Sequence, residues 1–555
     1  MGANNSGTSG SSPEQPPGQT AEPNQPALSR RRLLQWLLAA GGGAALGCRT
    51  GGRGSPQAGA GAAPGRAQRR PRRPNIVFIF SDDHAINAIS AYGSRINHTP
   101  HIDRLAADGV LFEHCCCANA ICAPSRATVL TGTHSHVNGV RDNRSRFDPR
   151  QTAFPQLLQA AGYQTALIGK WHMKSDPVGF DHWEVLQGQG AYYNPTFRTP
   201  TGRRRYTGYV TDITTQRALD WLENARAADQ PFALLLQHKA PHRPWMPGPK
   251  YLHLYDGVEI PEPPTLFDDY SGRASAARLQ KMSIARDLYE GYDLKVSDEY
   301  LTSPDQRGPT FPFKWLNDEQ RAMWDAAYEP RNRRFARRRP QGRDYVRWRY
   351  QRYIKDYLRC VASVDDSVGA VLDYLDRHGL RDDTVVIYAS DQGFYLGEHG
   401  WFDKRFMYEE SLHMPLIVRW PQVTAPGRRV TALVQNIDFA PTFLELAGVS
   451  VPQRMQGRSL LPLLTGEVPR DWRKSIYYRY YEYPSEHAVL PHYGVRTERY
   501  KLICYHTVGE WELFDLHEDP RELHSVYDEP AYADVRRALQ AELERLRRLC
   551  GDETG

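Results

Sequence analysis

The sequence predicts an α/β protein: a large, mostly parallel sheet flanked by helices, followed by a smaller C-terminal antiparallel α+β subdomain. Three observations predict it. Four near-continuous apolar runs, at 75–81, 164–169, 232–237 and 384–390, have the composition of strands buried on both faces. Between them lie stretches with apolar residues at helical spacing, at 101–108, 211–225 and 352–377. After about Val449 the texture changes to alternating, aromatic-rich segments at 475–483, 493–506 and 511–516, and then to a helical pattern over 532–549.

A chain of 555 residues, 40% hydrophobic and 24% charged, supports a large core with an appendage and excludes a disordered or fibrous protein. The formal net charge of +6 favours anionic partners in general, and no nucleic-acid-binding motif accompanies it, so no nucleic-acid partner is expected. Eight cysteines in so long a chain make no disulfide framework. Cys115, Cys116 and Cys117 adjoin, which suits a short packed segment rather than the spaced pairs of a zinc site.

In chain order, residues 1–28 are rich in Gly, Ser, Pro, Gln and Asn and cannot support a packed core. Arg30, Arg31 and Arg32 then precede a short, weakly hydrophobic run over 33–46, the pattern of a twin-arginine export signal and too short to span a bilayer. Cys48 closes an Ala-Leu-Gly-Cys stretch similar to a lipoprotein cleavage box, which makes a lipid anchor and an ordinary cleaved leader the two alternatives. Residues 49–74, mostly Gly, Ala, Pro and Arg, read as a flexible tether. The organisation expected is therefore a leader and tether over 1–74, a main domain over 75–448 and a subdomain over 449–555. Within the main domain the pattern weakens over 247–350, which reads as an insertion over one edge of the site. Its crowd of arginines, Arg331 to Arg339, is either solvated surface or an electrostatic approach for a polyanion.

The four apolar runs share a second property. They open onto Asp82 and Asp83, onto Lys170 and His172, onto His238 and His242, and onto Asp391 and Gln392. Open α/β sheets bind ligands beyond the carboxyl ends of their strands, so these groups are expected on one rim.

The stretch Cys122-Ala123-Pro124-Ser125-Arg126-Ala127-Thr128-Val129-Leu130-Thr131-Gly132 resembles the signature of the type I sulfatases of the alkaline phosphatase superfamily. Gly162-Tyr163-Gln164-Thr165-Ala166-Leu167-Ile168-Gly169-Lys170-Trp171-His172 resembles their second signature. The resemblance implies that Cys122 is oxidised to formylglycine by a formylglycine-generating enzyme that reads Pro124 and Arg126, and that Arg126 then holds the aldehyde. The chemistry favours such a residue: a hydrated aldehyde has a second hydroxyl with which to expel sulfate, whereas a sulfated serine would need a second displacement. By the same resemblance Lys170 and Lys404 grip sulfate, His172 takes the proton from the diol, and His242, in Pro241-His242-Arg243-Pro244, protonates the departing alcohol. Asp82, Asp83, Asp391 and Gln392 are all oxygen donors, the hard set expected for Ca2+, with Mg2+ as the alternative. Glutamine stands where the family usually has Asn or His. His238 is read as structural.

The run from Ser390 through Asp391, Gln392, Gly393, Phe394, Tyr395, Leu396, Gly397, Glu398, His399, Gly400, Trp401, Phe402 and Asp403 to Lys404 and Arg405 resembles bacterial sulfatases acting on 6-O-sulfated N-acetylglucosamine. It implies a sulfated glycan substrate, an exported periplasmic or outer-surface enzyme, and Glu398, His399, Arg405 and His492 as sugar contacts. Two other readings share features with this one: a phosphodiester or phosphonate hydrolase of the same superfamily, and a sulfoglycan-binding protein with an unconverted Cys122.

Overall fold

In the computed structural model, which describes residues 73–309 and 312–553, the four apolar runs lie side by side. The main sheet has ten strands: β1 (Asn75–Asp82), β2 (Val110–Phe112), β3 (Gln164–Gly169), β4 (His182–Leu186), β5 (Thr196–Thr199), β6 (Gly202–Arg205), β7 (Phe232–Pro241), β8 (Thr384–Ser390), β9 (Leu416–Arg419) and β10 (Arg428–Val430). Their spatial order is β10-β2-β9-β8-β1-β7-β3-β4-β5-β6. The centre, from β8 through β1, β7 and β3 to β4, is parallel. The flanks carry antiparallel pairings, so the sheet is mixed, with its parallel part where sequence alone is most strongly apolar.

Register brings the strand ends together. Ser81 pairs with Ser390 and Asp82 with Pro241, after an irregularity that follows Phe80. Gly169 of β3 pairs with Gln237, and a Cβ there would fall 1.8 Å from the Gln237 carbonyl oxygen, so only glycine lets the two strands close at this point. The same carbonyl accepts the Lys170 N–H at 2.7 Å.

The helix expected over 211–225 is Val210–Asn224, and the first expected helix is Pro100–Ala107. The longest helix, Gly342–Arg377, begins well before the expected position, and a second long helix, Asp318–Arg338, precedes it. The boundary drawn at residue 350 thus falls inside a helix. The cause is the residues that bury these helices: Trp324, Tyr328, Asn332 and Phe335 repeat at helical spacing, but Pro330 and many arginines hide the pattern. Arg331 bonds Asp256 at 2.7 Å, whereas Arg334, Arg337 and Arg338 are exposed.

The second sheet follows as expected, with antiparallel strands β11 (Ser475–Tyr480), β12 (His492–Thr497), β13 (Tyr500–Tyr505) and β14 (Glu510–Asp515) in that order. The aromatic stretch at 493–506 is a hairpin of two strands. Leu539, Leu543, Leu546 and Cys550, on one side of helix Ala533–Cys550, pack on Tyr477, Val495, Leu502 and Leu513 of this sheet. Among the described residues the cysteines are free: Cys115, Cys116, Cys117, Cys122, Cys360, Cys504 and Cys550 are all buried and unpaired by disulfides, and Cys115–Cys116 forms a short strand beside Val434–Gln435. No helix among the described residues is long and apolar enough to cross a membrane. The arginine-led leader and Cys48 lie outside the described residues.

Candidate active site

Cys122 is the first residue of helix Cys122–Thr131, whose every residue is buried. Pro124 sits in the first turn, where backbone N–H groups have no helical acceptor and proline costs nothing. Arg126 follows one turn later on the same face as Cys122. The helix stops at Gly132, which adopts the left-handed conformation at φ 63°.

The Cys122 Sγ lies 3.1 Å from Asp82 Oδ1 and 3.7 Å from Lys404 Nζ. Lys170 Nζ is ion-paired with the other Asp82 oxygen. Lys404 Nζ donates to both Asp83 oxygens at 2.5 and 2.7 Å. Arg126 donates to Asp391 Oδ2 through Nε at 3.2 Å and Nη2 at 3.0 Å, to Gln237 Oε1 at 2.7 Å and to the Lys170 carbonyl at 3.2 Å. Its donors thus tie three strand ends together, and here it braces the carboxylates beneath Cys122. His242 Nε2 is 3.9 Å from Asp83 Oδ2, its Nδ1 is hydrogen-bonded to the Arg243 carbonyl at 2.6 Å, and cis prolyl bonds flank it.

Backbone strain gathers at the same place. Asp83, His172, Asp403 and Arg405 all have φ between 59° and 99°, a region non-glycine residues rarely enter and that surrounding structure must enforce. Two of these four flank Lys404, and a third, Asp83, donates its N–H to Asp391 Oδ1 at 3.0 Å.

Electrostatics follow from burial. Burial raises the Asp82 carboxyl, but the Lys170 and Arg126 cations outweigh it and hold the group well below the usual range. Burial pushes Asp83 up to about 6 against the pull of Lys404, and burial together with Asp82 pushes Asp391 up to about 8. His172 and His242 are both driven well below 6.5, by burial first and Lys170 second, so each imidazole is neutral without a bound anion. The buried His172 Nδ1 has no protein partner.

The expected metal ligands fit a hard divalent cation. Oxygens of Asp82, Asp83 and Asp391 lie within 4.8 Å of one another, a crowding of carboxylates that a cation relieves. Gln392 donates its amide N–H to Asp83 and leaves its buried Oε1 without a partner, so its carbonyl oxygen is free to ligate.

The expected sugar contacts divide. Arg405 is 4% exposed, bonds Asp403 at 2.8 Å and keeps an unpartnered Nε. The other three have protein partners for part of their polar atoms, and the buried Nε2 of His492 has none. His399 lies between Asp268, at 3.1 Å, and Glu410, at 3.6 Å. Glu398 accepts from Asn87 at 2.8 Å and from the Leu396 N–H at 2.6 Å. His492 is fully buried among Phe406, Tyr478, Tyr480 and Tyr505 and hydrogen-bonds the Leu490 carbonyl. His238 is structural as read: β7 runs on to Pro241, and His238 Nε2 meets Ser367 Oγ at 2.9 Å. Sequence reasoning missed Lys239, Tyr480 and Glu482. Tyr480 and Glu482 are buried, leave the Tyr480 hydroxyl and Glu482 Oε2 unpartnered, and interact electrostatically with Arg405. A cavity of about 690 Å³ lined by Arg458, Trp472, Tyr477 and Cys550, among others, contains none of the site residues.

A parallel sheet whose strand ends present carboxylates, lysines and neutral histidines around a residue at a helix N-terminus defines a hydrolase for esters with an anionic tetrahedral centre. Comparison with known proteins narrows the class. The Sulfatase family matches residues 74–449, and the N-sulphoglucosamine sulphohydrolase C-terminal family matches residues 397–549. The chain belongs to the sulfatase family and is a sulfuric ester hydrolase. It is 47% identical over 481 residues to an N-acetylglucosamine-6-O-sulfatase of Bacteroides thetaiotaomicron, covering 85% of this chain and 86% of that one. A human N-acetylglucosamine-6-sulfatase is 25% identical over 439 residues, 74% of this chain and 67% of the relative. The solved structure of BT4656 in complex with its substrate D-glucosamine-2-N,6-O-disulfate superposes with a TM-score of 0.84 at 46% identity, covering 87% of this chain and 99% of that one. A phosphonate monoester hydrolase of Agrobacterium radiobacter shares the fold at a TM-score of 0.62 and 21% identity, covering 86% of this chain and 96% of that one.

Proposed function

We propose that this sulfatase removes the 6-O-sulfate from N-acetylglucosamine or glucosamine residues of sulfated glycans, acting at chain ends through a formylglycine made from Cys122. The observation that carries the mechanism is the place of Cys122 Sγ, between the Asp82 carboxylate at 3.1 Å and the Lys404 ammonium at 3.7 Å. The relatives named for 6-sulfated glucosamines support the substrate.

An aldehyde at position 122, when hydrated, supplies one hydroxyl to take sulfate and a second whose deprotonation releases it with the carbonyl restored. Asp82, Asp83, Asp391 and the Gln392 carbonyl would hold a Ca2+ or Mg2+ ion, which would supply positive charge to the site. Lys170 and Lys404 hold the sulfate oxygens. His172, neutral and with a free Nδ1, accepts the diol proton. His242 delivers a proton to the departing sugar oxygen; burial first and nearby cations second keep this imidazole neutral when the site is empty, and the incoming sulfate ester, an anion, offsets those cations. Arg405, Glu482 and Tyr480, electrostatically coupled and each with a spare polar atom, are the sugar contacts. Strand β11 supplies Tyr480, so the subdomain closes one side of the site, which suits a chain end.

The reading includes export by the arginine-led leader, with a lipid anchor at Cys48 and an ordinary cleaved leader as the two alternatives, and conversion of Cys122 by a formylglycine-generating enzyme. Mass spectrometry of the Cys122 peptide tests the conversion. Turnover of 6-sulfated and 3-sulfated N-acetylglucosamine, 6-sulfated N-acetylgalactosamine, 2-sulfated uronic acids and an aryl phosphodiester tests the substrate. The reading expects 6-sulfated N-acetylglucosamine to lead; a preference for galactosamine, uronate or phosphodiester substrates overturns it.

A further inference from the structure

Lysines 170 and 404 each have a carboxylate partner in Asp82 and Asp83. A third lysine near the site has none. Lys239 is 3% exposed, and its ammonium forms no hydrogen bond or ion pair with any described residue; it lies 4.9 Å from the Tyr192 ring. A buried ammonium without a counter-ion is costly, and such groups are normally paired.

Its place follows from its contacts. β7 bulges here, Phe80 pairing with Gln237 but Asp82 with Pro241. Within the bulge His238 meets Ser367 of helix Gly342–Arg377, and the Lys239 carbonyl accepts the His242 N–H at 3.1 Å. Lys239 thus stands between Gln237, which accepts from Arg126, and His242, two groups of the site. Its charge is felt there: Lys239 interacts electrostatically with Lys170, Asp82, Asp83 and Cys122, and it opposes protonation of His242. Tyr192 couples the two residues, since its ring carries the ammonium and its hydroxyl donates to the His242 carbonyl at 2.6 Å. Burial, with Lys170 second, lowers the Lys239 ammonium to about 8, which is consistent with a cation that lacks an anion.

We propose that Lys239 contacts substrate: its ammonium donates to an oxygen of the bound sulfate and completes, with Lys170 and Lys404, a cradle of three cations. The partner it lacks in the free protein arrives with the ester. This deepens the reading of the site as a sulfate pocket around Cys122 and concerns a residue that the motifs did not single out.

The test is calorimetric binding of inorganic sulfate to the full-length protein and to its Lys239→Met and Lys239→Arg variants, with melting temperature and kcat/KM for an aryl sulfate measured alongside. Lys239→Met is expected to weaken sulfate binding by about tenfold or more and to lower kcat/KM by about a hundredfold, with Lys239→Arg recovering part of both. The Met variant should melt no lower than the wild type, because it removes an unpaired buried charge. Sulfate affinity within twofold of wild type in the Met variant overturns the proposal, as does a loss that Arg does not relieve at all. If the Met variant does not fold, Lys239→Gln takes its place in the same comparison. Because the binding arm needs no turnover, a wild type that fails to hydrolyse sulfate esters would refute the proposed function and still leave Lys239 tested.

Discussion

Replacing Lys404 by methionine removes an ammonium while keeping most of the side chain's volume. In the structure that ammonium is 2.5 Å from Asp83 and 3.7 Å from the Cys122 Sγ, and the residue is 2% exposed. A unit charge about 4 Å from a developing charge interacts by about 4 kcal/mol at an effective dielectric near 20. Removing one preorganised donor from a transition state costs about 3 kcal/mol by mutational precedent. The two figures agree in scale, so kcat should fall by about a hundredfold to a thousandfold. Stability should fall as well, since Asp83 loses its counter-ion and breaking a buried pair costs about 3–5 kcal/mol; a bound cation at Asp83 would reduce that loss. The assay is kcat on an aryl sulfate and on 6-sulfated N-acetylglucosamine, with the melting temperature recorded with and without added Ca2+. A folded Lys404→Met variant whose kcat stays within about threefold of wild type on both substrates refutes the contact.

Cys122→Ser should fold normally and accumulate a sulfated serine, or show no activity, because serine takes sulfate but has no second hydroxyl with which to expel it; wild-type turnover would exclude the mechanism. His242→Ala should damage sugar sulfates at least about tenfold more than aryl sulfates, whose acidic phenols leave without a proton, and equal damage would remove His242 from the acid role. Chelation should lower the melting temperature and added Ca2+ restore it, given the crowding of Asp82, Asp83 and Asp391; an unchanged melting curve would argue against a resident cation. For His399, burial works downward but the Asp268 and Glu410 carboxylates outweigh it, raising the imidazole from 6.5 to about 9. A raised value stabilises the fold fully below pH about 6.5 and fades as pH climbs through about 9, a contribution of up to about 3 kcal/mol. His399→Gln should therefore lower the melting temperature at pH 6 and have much less effect at pH 9.5, and an equal loss at both would dismiss the ion pair.

The parts of this protein that could be read from its sequence are those in which local order and tertiary position coincide. In a parallel sheet the carboxyl ends of neighbouring strands abut, so the residues that follow an apolar run are delivered to one rim by chain direction alone. That is why Asp82, Asp83, Lys170, His242 and Asp391 could be grouped before any coordinates, and why Cys122 and Arg126, one helical turn apart, could be placed on one face. A four-stranded aromatic sheet with a closing helix was legible for the same reason, since its alternation is local.

Tertiary structure alone decided the rest. The end of β7 depends on pairing with β1 beyond residue 237, and that bulged extension sets His238 against Ser367 and Lys239 beside Tyr192. Helix Asp318–Arg338 is buried by aromatic rings that stack with arginines, such as Tyr328 under Arg331 and Arg352, so its inner face does not look apolar in the sequence. Only tertiary structure reveals what surrounds two of the expected sugar contacts: Asp268 and Glu410 beside His399, and four aromatic rings around His492. Tyr480 and Glu482 reach Arg405 across more than seventy residues of chain, and no local pattern encodes a contact whose two halves meet only after the subdomain has docked.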